Sequence, residues 1–201
     1  MNDKQQADFK FVKKLVKQCH VEMQHTKHVT LLALKLFDDL SSLHKFGQRE
    51  KYYLLCAAYM HDIGVNTEGR KGHHKTALRI ILDTPILQCN NKDRLIIGSI
   101  ARYHRKALPS KRHDHFAALK TEERKMVSIL AGMLRITDGL DYRHKQHVKD
   151  VVATYTKRSI DITCLTANHS IKKEIASAQK KSGLLTIMFL RDINFHTRLE
   201  K

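Results

Sequence analysis

The stretch "QREKYYLLCAAYMHDIG", residues 48–64, raises the question that decides the fold. Leu54, Ala58 and His61 recur at the spacing of one helical face, and Asp62 lies beside them. Both polar residues are therefore predicted to point toward the core from a helix C-terminus. A carboxylate at that end opposes the helix dipole unless a cation compensates it. The pair thus either binds a metal ion or forms only the polar end of a buried helix. Which of the two holds depends on whether other segments supply further metal ligands.

Length and composition predict one main domain that is mostly helical. The 201 residues are 42% apolar, enough to bury one sizeable core, and they include only two prolines and no tryptophan. No segment has the apolar character of a signal peptide or a membrane span. The cysteines are widely spaced, which favours reduced thiols and a cytoplasmic location; they are Cys19, Cys56, Cys89 and Cys164.

The charge is strongly basic. Thirty-seven Lys and Arg against twenty Asp and Glu give a formal net charge of +17. Such an excess attracts anionic partners, namely nucleic acid, polyphosphate, nucleotides or an acidic membrane surface, without choosing among them. Because the charges are dispersed, they are also typical of a plain solvated surface.

Four further segments combine an apolar helical face with a His or Asp at one end. In one segment, the periodicity is compatible with either of two inward histidines: His73 aligns with Ala77, and His74 aligns with Leu78. The helix that carries them is expected to stop before Pro85, because the residue before a proline disfavours helical geometry. The polar residues in these segments are His25, His73 or His74, His104 and Asp138.

These polar residues are more informative together than singly. A lone His on an apolar face is more often a hydrogen-bonded core residue than a ligand, and an Asp at a helix end is more often a cap. Burying several imidazoles and two carboxylates without compensation, however, would cost several kcal/mol. One or two shared divalent cations remove that cost. The donors suit Mn²⁺, Fe²⁺, Co²⁺, Ni²⁺ or Zn²⁺, whereas Mg²⁺ normally takes more oxygen ligands.

The C-terminal residues differ in character and predict a small α+β appendage over 146–201, after a helical domain over 1–145. Alternating β-branched residues predict two strands around Lys157 and Arg158. A short amphipathic helix is expected in residues 168–183, followed by a strand in "LLTIMFL", residues 184–190. Three glycines are predicted to end helices: Gly64, Gly139 and Gly183.

The order of His25, the pair His61-Asp62, and Asp138 resembles the HD-domain superfamily, which binds metal through H…HD…D and mostly hydrolyses phosphate esters. The segments "LALKLFDDL", "HDIG", "GHHK", "ARYHRKALP" and "LRITDGLD" more closely resemble the C-terminal HD-type region of the exopolyphosphatase and guanosine pentaphosphate phosphatase family. This resemblance spans about residues 20–145. It implies a mainly α fold, an HD-domain helical bundle, to which the α+β appendage is added.

The resemblance also implies two sets of metal ligands. The first metal would be held by His25, His61, Asp62 and Asp138. A second would be held by His73, with His74 as its substitute, and by His104. Thr76 stands where many relatives have a further His, so the surroundings of the second set differ from theirs.

The function expected from the resemblance is that of a metal-dependent phosphohydrolase acting on a polyanionic nucleotide or polyphosphate. Asp62 is best placed to bridge the metals, and nearby basic residues would neutralise substrate phosphates: Lys75, Arg102, Arg105 and Lys106. The family places its polyphosphate-hydrolysing site in N-terminal actin-like domains. No such domain is recognisable in the 201 residues. The alternative is therefore a non-catalytic polyphosphate- or nucleotide-binding module. Nucleic-acid binding ranks third, no membrane partner is expected, and a homodimer is compatible with the sequence.

Overall fold

The computed structural model describes residues 1, 3–84, 90–167 and 169–200, so Pro85 and Cys89 lie outside the described residues. The helices are α1 (Asp3–Gln18), α2 (Met23–Asp39), α3 (Ser41–His44), α4 (Gln48–Met60), α5 (Val65–Glu68), α6 (His73–Asp83), α7 (Asn91–Arg102), α8 (Asp114–Ala117), α9 (Thr121–Leu140), α10 (Lys172–Lys181) and α11 (Gly183–Phe189). A 3₁₀ turn covers Gly69–Lys71, and the strands are β1 (Asp150–Tyr155), β2 (Ser159–Thr166) and β3 (Asp192–Leu199).

Helix α9 is the centre of the molecule. It packs against α2, α4 and α7 and also against α10 and α11. Its residues from Met126 to Leu140 are almost all buried, which is the pattern of a helix surrounded by protein. The predicted mainly α fold is confirmed, and among the described residues no helix is both long and apolar enough to cross a lipid bilayer.

Two glycines predicted to end helices have a different role. Gly64 has φ −88°, so it is not left-handed, and a Cβ there would lie 2.4 Å from the carbonyl oxygen of His73. Gly139 lies inside α9, where a Cβ would approach Ala178 Cα to 2.7 Å. Both predictions were wrong for the same reason. Each glycine lets two chain segments approach closely, and neither adopts the left-handed conformation that ends a helix.

The predicted α+β character of the C-terminal residues is confirmed. Strands β1 and β2 form the expected antiparallel hairpin, with Val151 opposite Cys164, and β2 pairs in parallel with β3, with Ile160 opposite Ile193. Alternate residues of β2 are buried, as expected for a sheet with one face on the core. Helix α10 forms where the amphipathic pattern predicts it.

The strand predicted for residues 184–190 was wrong. This segment belongs to α11, which Gly183 opens rather than ends, and the third strand is β3 instead. A short apolar run does not distinguish a strand from a buried helix by periodicity. Its context decides, because Leu185 packs directly on Gly132 of α9.

The C-terminal elements pack on the helices that carry the polar residues. Strand β1 contacts α2, while α10 and α11 contact α9. Buried apolar residues of both regions form a single core. The division of the chain between residues 145 and 146 stays a prediction.

Candidate metal centre

His25 on α2 directs one of its two ring nitrogens toward two carboxylates. That nitrogen has no hydrogen-bond partner among the described residues. Its ring is 1% exposed, and Nδ1 donates to Asp141 Oδ2 at 2.9 Å. The other nitrogen, Nε2, lies 3.5 Å from Asp138 Oδ1 and 3.9 Å from Asp62 Oδ2 and makes no hydrogen bond within the described residues. An imidazole held by a carboxylate on one nitrogen and open on the other is the usual form of a metal-binding histidine.

His61 is oriented in the same way. It follows the last residue of α4, and its Nδ1 donates to the carbonyl oxygen of Ala58 at 2.7 Å. A carbonyl can only accept, so in the neutral ring the lone pair is on Nε2. That fully buried nitrogen lies 3.5 Å from Asp62 Oδ2 and 4.0 Å from Asp138 Oδ1, again without a hydrogen-bond partner in the described part of the chain.

A second group of donors lies on the other side of Asp62. His73 Nε2 lies 3.1 Å from both Asp62 Oδ1 and His104 Nε2. His104 Nδ1 donates to the carbonyl oxygen of Ala101 at 2.7 Å, which leaves the lone pair of its neutral ring on Nε2. Two imidazole nitrogens at this separation need a proton or a cation between them.

The two groups share one carboxylate. His25, His61 and Asp62 have donor atoms within 4.8 Å of one another, and so do Asp62, His73 and His104. Asp62 faces the first group with Oδ2 and the second with Oδ1. Asp62 therefore faces both groups of donor atoms, and each group could hold a metal ion.

Asp138 lies beside the first group and connects it to the C-terminal region. Its Oδ1 faces His25 and His61, while Oδ2 accepts a hydrogen bond from Lys181 Nζ at the end of α10. Burial disfavours the ionised form of Asp138. Lys181 and His25 outweigh that effect and hold the pKa of the carboxyl group well below its usual range.

The surroundings of three other ligand candidates shift their pKa values. Burial also disfavours ionised Asp62, but His61 and the hydrogen bond from His73 outweigh it, so its pKa lies far below the usual value. Burial, followed by the charge of His61, lowers the pKa of His104 well below 6.5 and keeps the ring neutral. Burial likewise lowers the pKa of His25, yet the neighbouring carboxylates of Asp138 and Asp141 raise it to about 9 overall. A cation binding to His25 at neutral pH must therefore displace a proton.

A cavity of about 290 Å³ opens over this group. Asp62, His73, His104 and Asp138 are among the residues that line it. Its other lining residues are His20, Val21, Glu22, Val65, Asn66, Arg105 and His144. A larger cavity of about 590 Å³ lies between α3, α4, α9 and α11 and contains none of the candidate ligands.

The other predicted site residues lie in different places. Arg105 lines the cavity, whereas Lys75 is exposed on α6 and the carbonyl oxygen of Lys106 accepts a hydrogen bond from Arg135. Arg102 is buried at the end of α7 with its guanidinium over the Tyr103 ring. His74 is buried behind His73 and belongs to neither ligand group.

Three residues near the ligands were not identified from the sequence. Asp141 holds His25, and His144 stacks on the same ring with centroids 3.7 Å apart while its Nδ1 donates to Glu22 Oε2 at 2.7 Å. Asp141 could have been recognised from the sequence, because it follows Asp138 by three residues, about one helical turn. Lys181, from the C-terminal region, had no local signal.

Comparison with known proteins identifies the family of this chain. A search of curated proteins found no match. The family model described as Ppx/GppA phosphatase, domain III, matches residues 10–180 and so includes both ligand groups as well as α10 up to Lys180. Since that match covers most of the sequence, the chain belongs to the Ppx/GppA phosphatase domain III family.

Proposed function

We propose that this protein is a metal-dependent phosphohydrolase of the HD type that acts on a polyanionic phosphate substrate, a nucleotide or polyphosphate. The observation that carries the proposal is the pair of histidine groups that share Asp62. Membership of a family described as phosphatases supports a phosphate-related function. The strong positive charge supports an anionic substrate.

The donor set fits divalent cations. His25 and His61 each have a buried Nε2 without a hydrogen-bond partner in the described residues, and both face the carboxylates. The first cation would be held by His25, His61, Asp62 and Asp138, and the second by Asp62, His73 and His104. The mixture of imidazole and carboxylate favours Mn²⁺, Fe²⁺, Co²⁺, Ni²⁺ or Zn²⁺ over Mg²⁺.

The chemistry follows from what these residues hold in place. Divalent cations supply Lewis acidity, which lowers the pKa of a water molecule and polarises a phosphoryl oxygen. Asp62 would hold the two positions at a fixed separation, and Asp141 would keep the Nε2 lone pair of His25 directed at the centre. Arg105, which lines the cavity, would neutralise a phosphate on the substrate.

The test is the metal content and activity of the Asp62→Asn variant. Wild-type protein is stripped with a chelator, reconstituted with Mn²⁺ or Zn²⁺, and assayed by elemental analysis and by hydrolysis of a generic phosphodiester, nucleotides and short polyphosphate. Wild-type protein is expected to retain one or two ions per chain, and Asp62→Asn to lose at least one of them together with its activity. Asp38→Asn is the matched control, because Asp38 pairs with Lys51 on the surface.

Two results would contradict the proposal. Wild-type protein that retains no metal after reconstitution would show that the group is structural. Protein that binds metal and polyphosphate but hydrolyses none of the substrates would favour the non-catalytic binding module.

A further inference from the structure

A further cavity, of about 700 Å³, adjoins the metal-centre cavity, because two side chains, Glu22 and His144, line both. The His144 ring stacks on that of the candidate ligand His25, with centroids 3.7 Å apart, and its Nδ1 donates to Glu22 Oε2 at 2.7 Å. We call this the Tyr142 cavity, and it is lined by Glu22, Tyr142, Arg143, His144, Lys145 and His147. A molecule bound at the metal centre thus has the Tyr142 cavity next to it, across the Glu22–His144 pair.

Tyr142 offers this cavity an unused aromatic ring. The side chain is 57% exposed, although it follows the last residue of the buried helix α9 by only two positions. Within the described residues its ring stacks on no other ring, and its hydroxyl makes no hydrogen bond. An aromatic ring exposed in a cavity can stack on a planar heterocycle, and every nucleobase has a face suited to such stacking.

Glu22 places a carboxylate at the boundary between the two cavities. Its Oε2 accepts the hydrogen bond from His144, whereas its Oε1 has no donor in the part of the chain described, and the side chain is 53% exposed. A carboxylate repels phosphate groups, but it accepts hydrogen bonds from the hydroxyl groups of a ribose. The boundary therefore suits a sugar better than a further phosphate.

The Tyr142 cavity has few free cations. Arg143 donates from Nε and Nη2 to the Glu174 carboxylate at 2.6 and 2.7 Å, so its charge is already paired. The His147 ring stacks on that of His169, with centroids 4.4 Å apart. Lys145 is the one lysine or arginine lining this cavity that forms no ion pair with the described residues. A polyphosphate chain, which is charged at every phosphate, would need several free cations in a row, so the cavity is better suited to an uncharged aromatic group.

We infer that the Tyr142 cavity binds the nucleoside part of a nucleotide whose phosphates lie at the metal centre. Tyr142 stacks on the base, and Glu22 accepts hydrogen bonds from the ribose hydroxyl groups. The inference rests on the proposed phosphate site at the metal centre, and it selects a nucleotide over polyphosphate as the ligand of that site. Tyr142 and Glu22 determine specificity and take no part in the chemistry.

The test is calorimetric titration of the full chain, reconstituted with Mn²⁺, with two probes that share a methylene-bridged diphosphate: adenosine 5′-(α,β-methylene)diphosphate and methylenediphosphonate. Wild-type protein is expected to bind the nucleotide probe about fivefold more tightly or better, because only this probe reaches Tyr142. Tyr142→Ala should abolish that difference and leave the affinity for methylenediphosphonate within about twofold of wild type. Tyr142→Phe keeps the ring and should bind both probes as wild type does.

Matched controls separate stacking and the ribose contact from general effects. Tyr155→Ala removes another exposed tyrosine, 39% exposed at the end of β1 and outside the cavity, and should change neither affinity by more than about twofold. The 2′,3′-dideoxy form of the nucleotide probe lacks both ribose hydroxyls and should bind wild-type protein about fivefold more weakly or worse. In Glu22→Gln the difference between the two nucleotide probes should shrink, because an amide oxygen is a weaker acceptor than a carboxylate.

The outcomes distinguish this inference from the proposed function. Equal binding of the two probes by wild-type protein, or a Tyr142→Ala variant that binds both as Tyr155→Ala does, would overturn the inference and leave the phosphate site intact. Tripolyphosphate that binds more tightly than the nucleotide probe and is weakened by Lys145→Met would assign the cavity to a phosphate chain and overturn it as well. Binding of neither probe would show that the metal centre has no phosphate site, and the proposed function would then fail together with the inference.

Discussion

Replacing Asp141 by Asn is expected to weaken metal binding about 10- to 100-fold while the protein stays folded. Asp141 is 1% exposed; its Oδ2 accepts from His25 Nδ1 at 2.9 Å and its Oδ1 from the backbone N–H of Gln146 at 2.8 Å. Asparagine keeps the shape and one oxygen acceptor but removes the charge that makes the other nitrogen of His25 basic. The loss corresponds to about 1.4–2.7 kcal/mol of metal-binding free energy. The free energy of unfolding should fall by about 1.5–3 kcal/mol, as for charge-assisted hydrogen bonds.

The assay is calorimetric titration of chelator-treated protein with Mn²⁺ or Zn²⁺, with urea unfolding of the same samples. Asp161→Asn is the matched control, because Asp161 also pairs with a histidine, His196 Nε2 at 3.1 Å, but at an exposed position of the sheet and in neither candidate ligand group. An Asp141→Asn variant that binds metal as tightly as wild type would refute the role given to this carboxylate.

Two further predictions concern the metal-free protein and the packing of α10. Because the folded pKa of His25 is raised to about 9 from 6.5, its contribution to stability is complete below pH 6.5 and is lost as the pH rises toward 9. Urea unfolding with chelator present should show this loss, and Asp141→Asn should reduce it; a flat profile would contradict the assignment. Gly139→Ala should lower the free energy of unfolding by about 1–3 kcal/mol, because its Cβ would approach Ala178 Cα to 2.7 Å. The control Gly183→Ala, with no atom within 4 Å, should not destabilise; equal thermal midpoints for the two variants would refute the packing argument.

The order of the N-terminal helices and the choice of candidate ligands were accessible from sequence. His25, His61 and Asp138 lie on or directly after helices whose apolar faces repeat every three to four residues. That periodicity reflects local backbone geometry, so it predicts which side chains point inward without knowledge of the partner helix. Periodicity could not choose between His73 and His74, and only the packing of α6 on α7 directs His73 Nε2 toward Asp62.

The C-terminal region shows the limit of local patterns. The apolar run of residues 184–190 suits a strand or a buried helix equally, and contact with Gly132 of α9 is what selects the helix. Gly64 and Gly139 carry the usual signal of a helix end, yet their actual constraint is a neighbouring segment distant in sequence.

By itself, the sequence determined the helical periods, the inward direction of the histidines and aspartates, and the alternating strands of the hairpin, because each depends on backbone geometry over a few residues. Only the tertiary structure decided that Asp62 faces two ligand groups, and that Asp141 and Lys181 hold His25 and Asp138. These contacts join residues separated by tens of positions along the chain. They exist because packing around α9 buries charged and polar side chains together, where each must find a partner from another element.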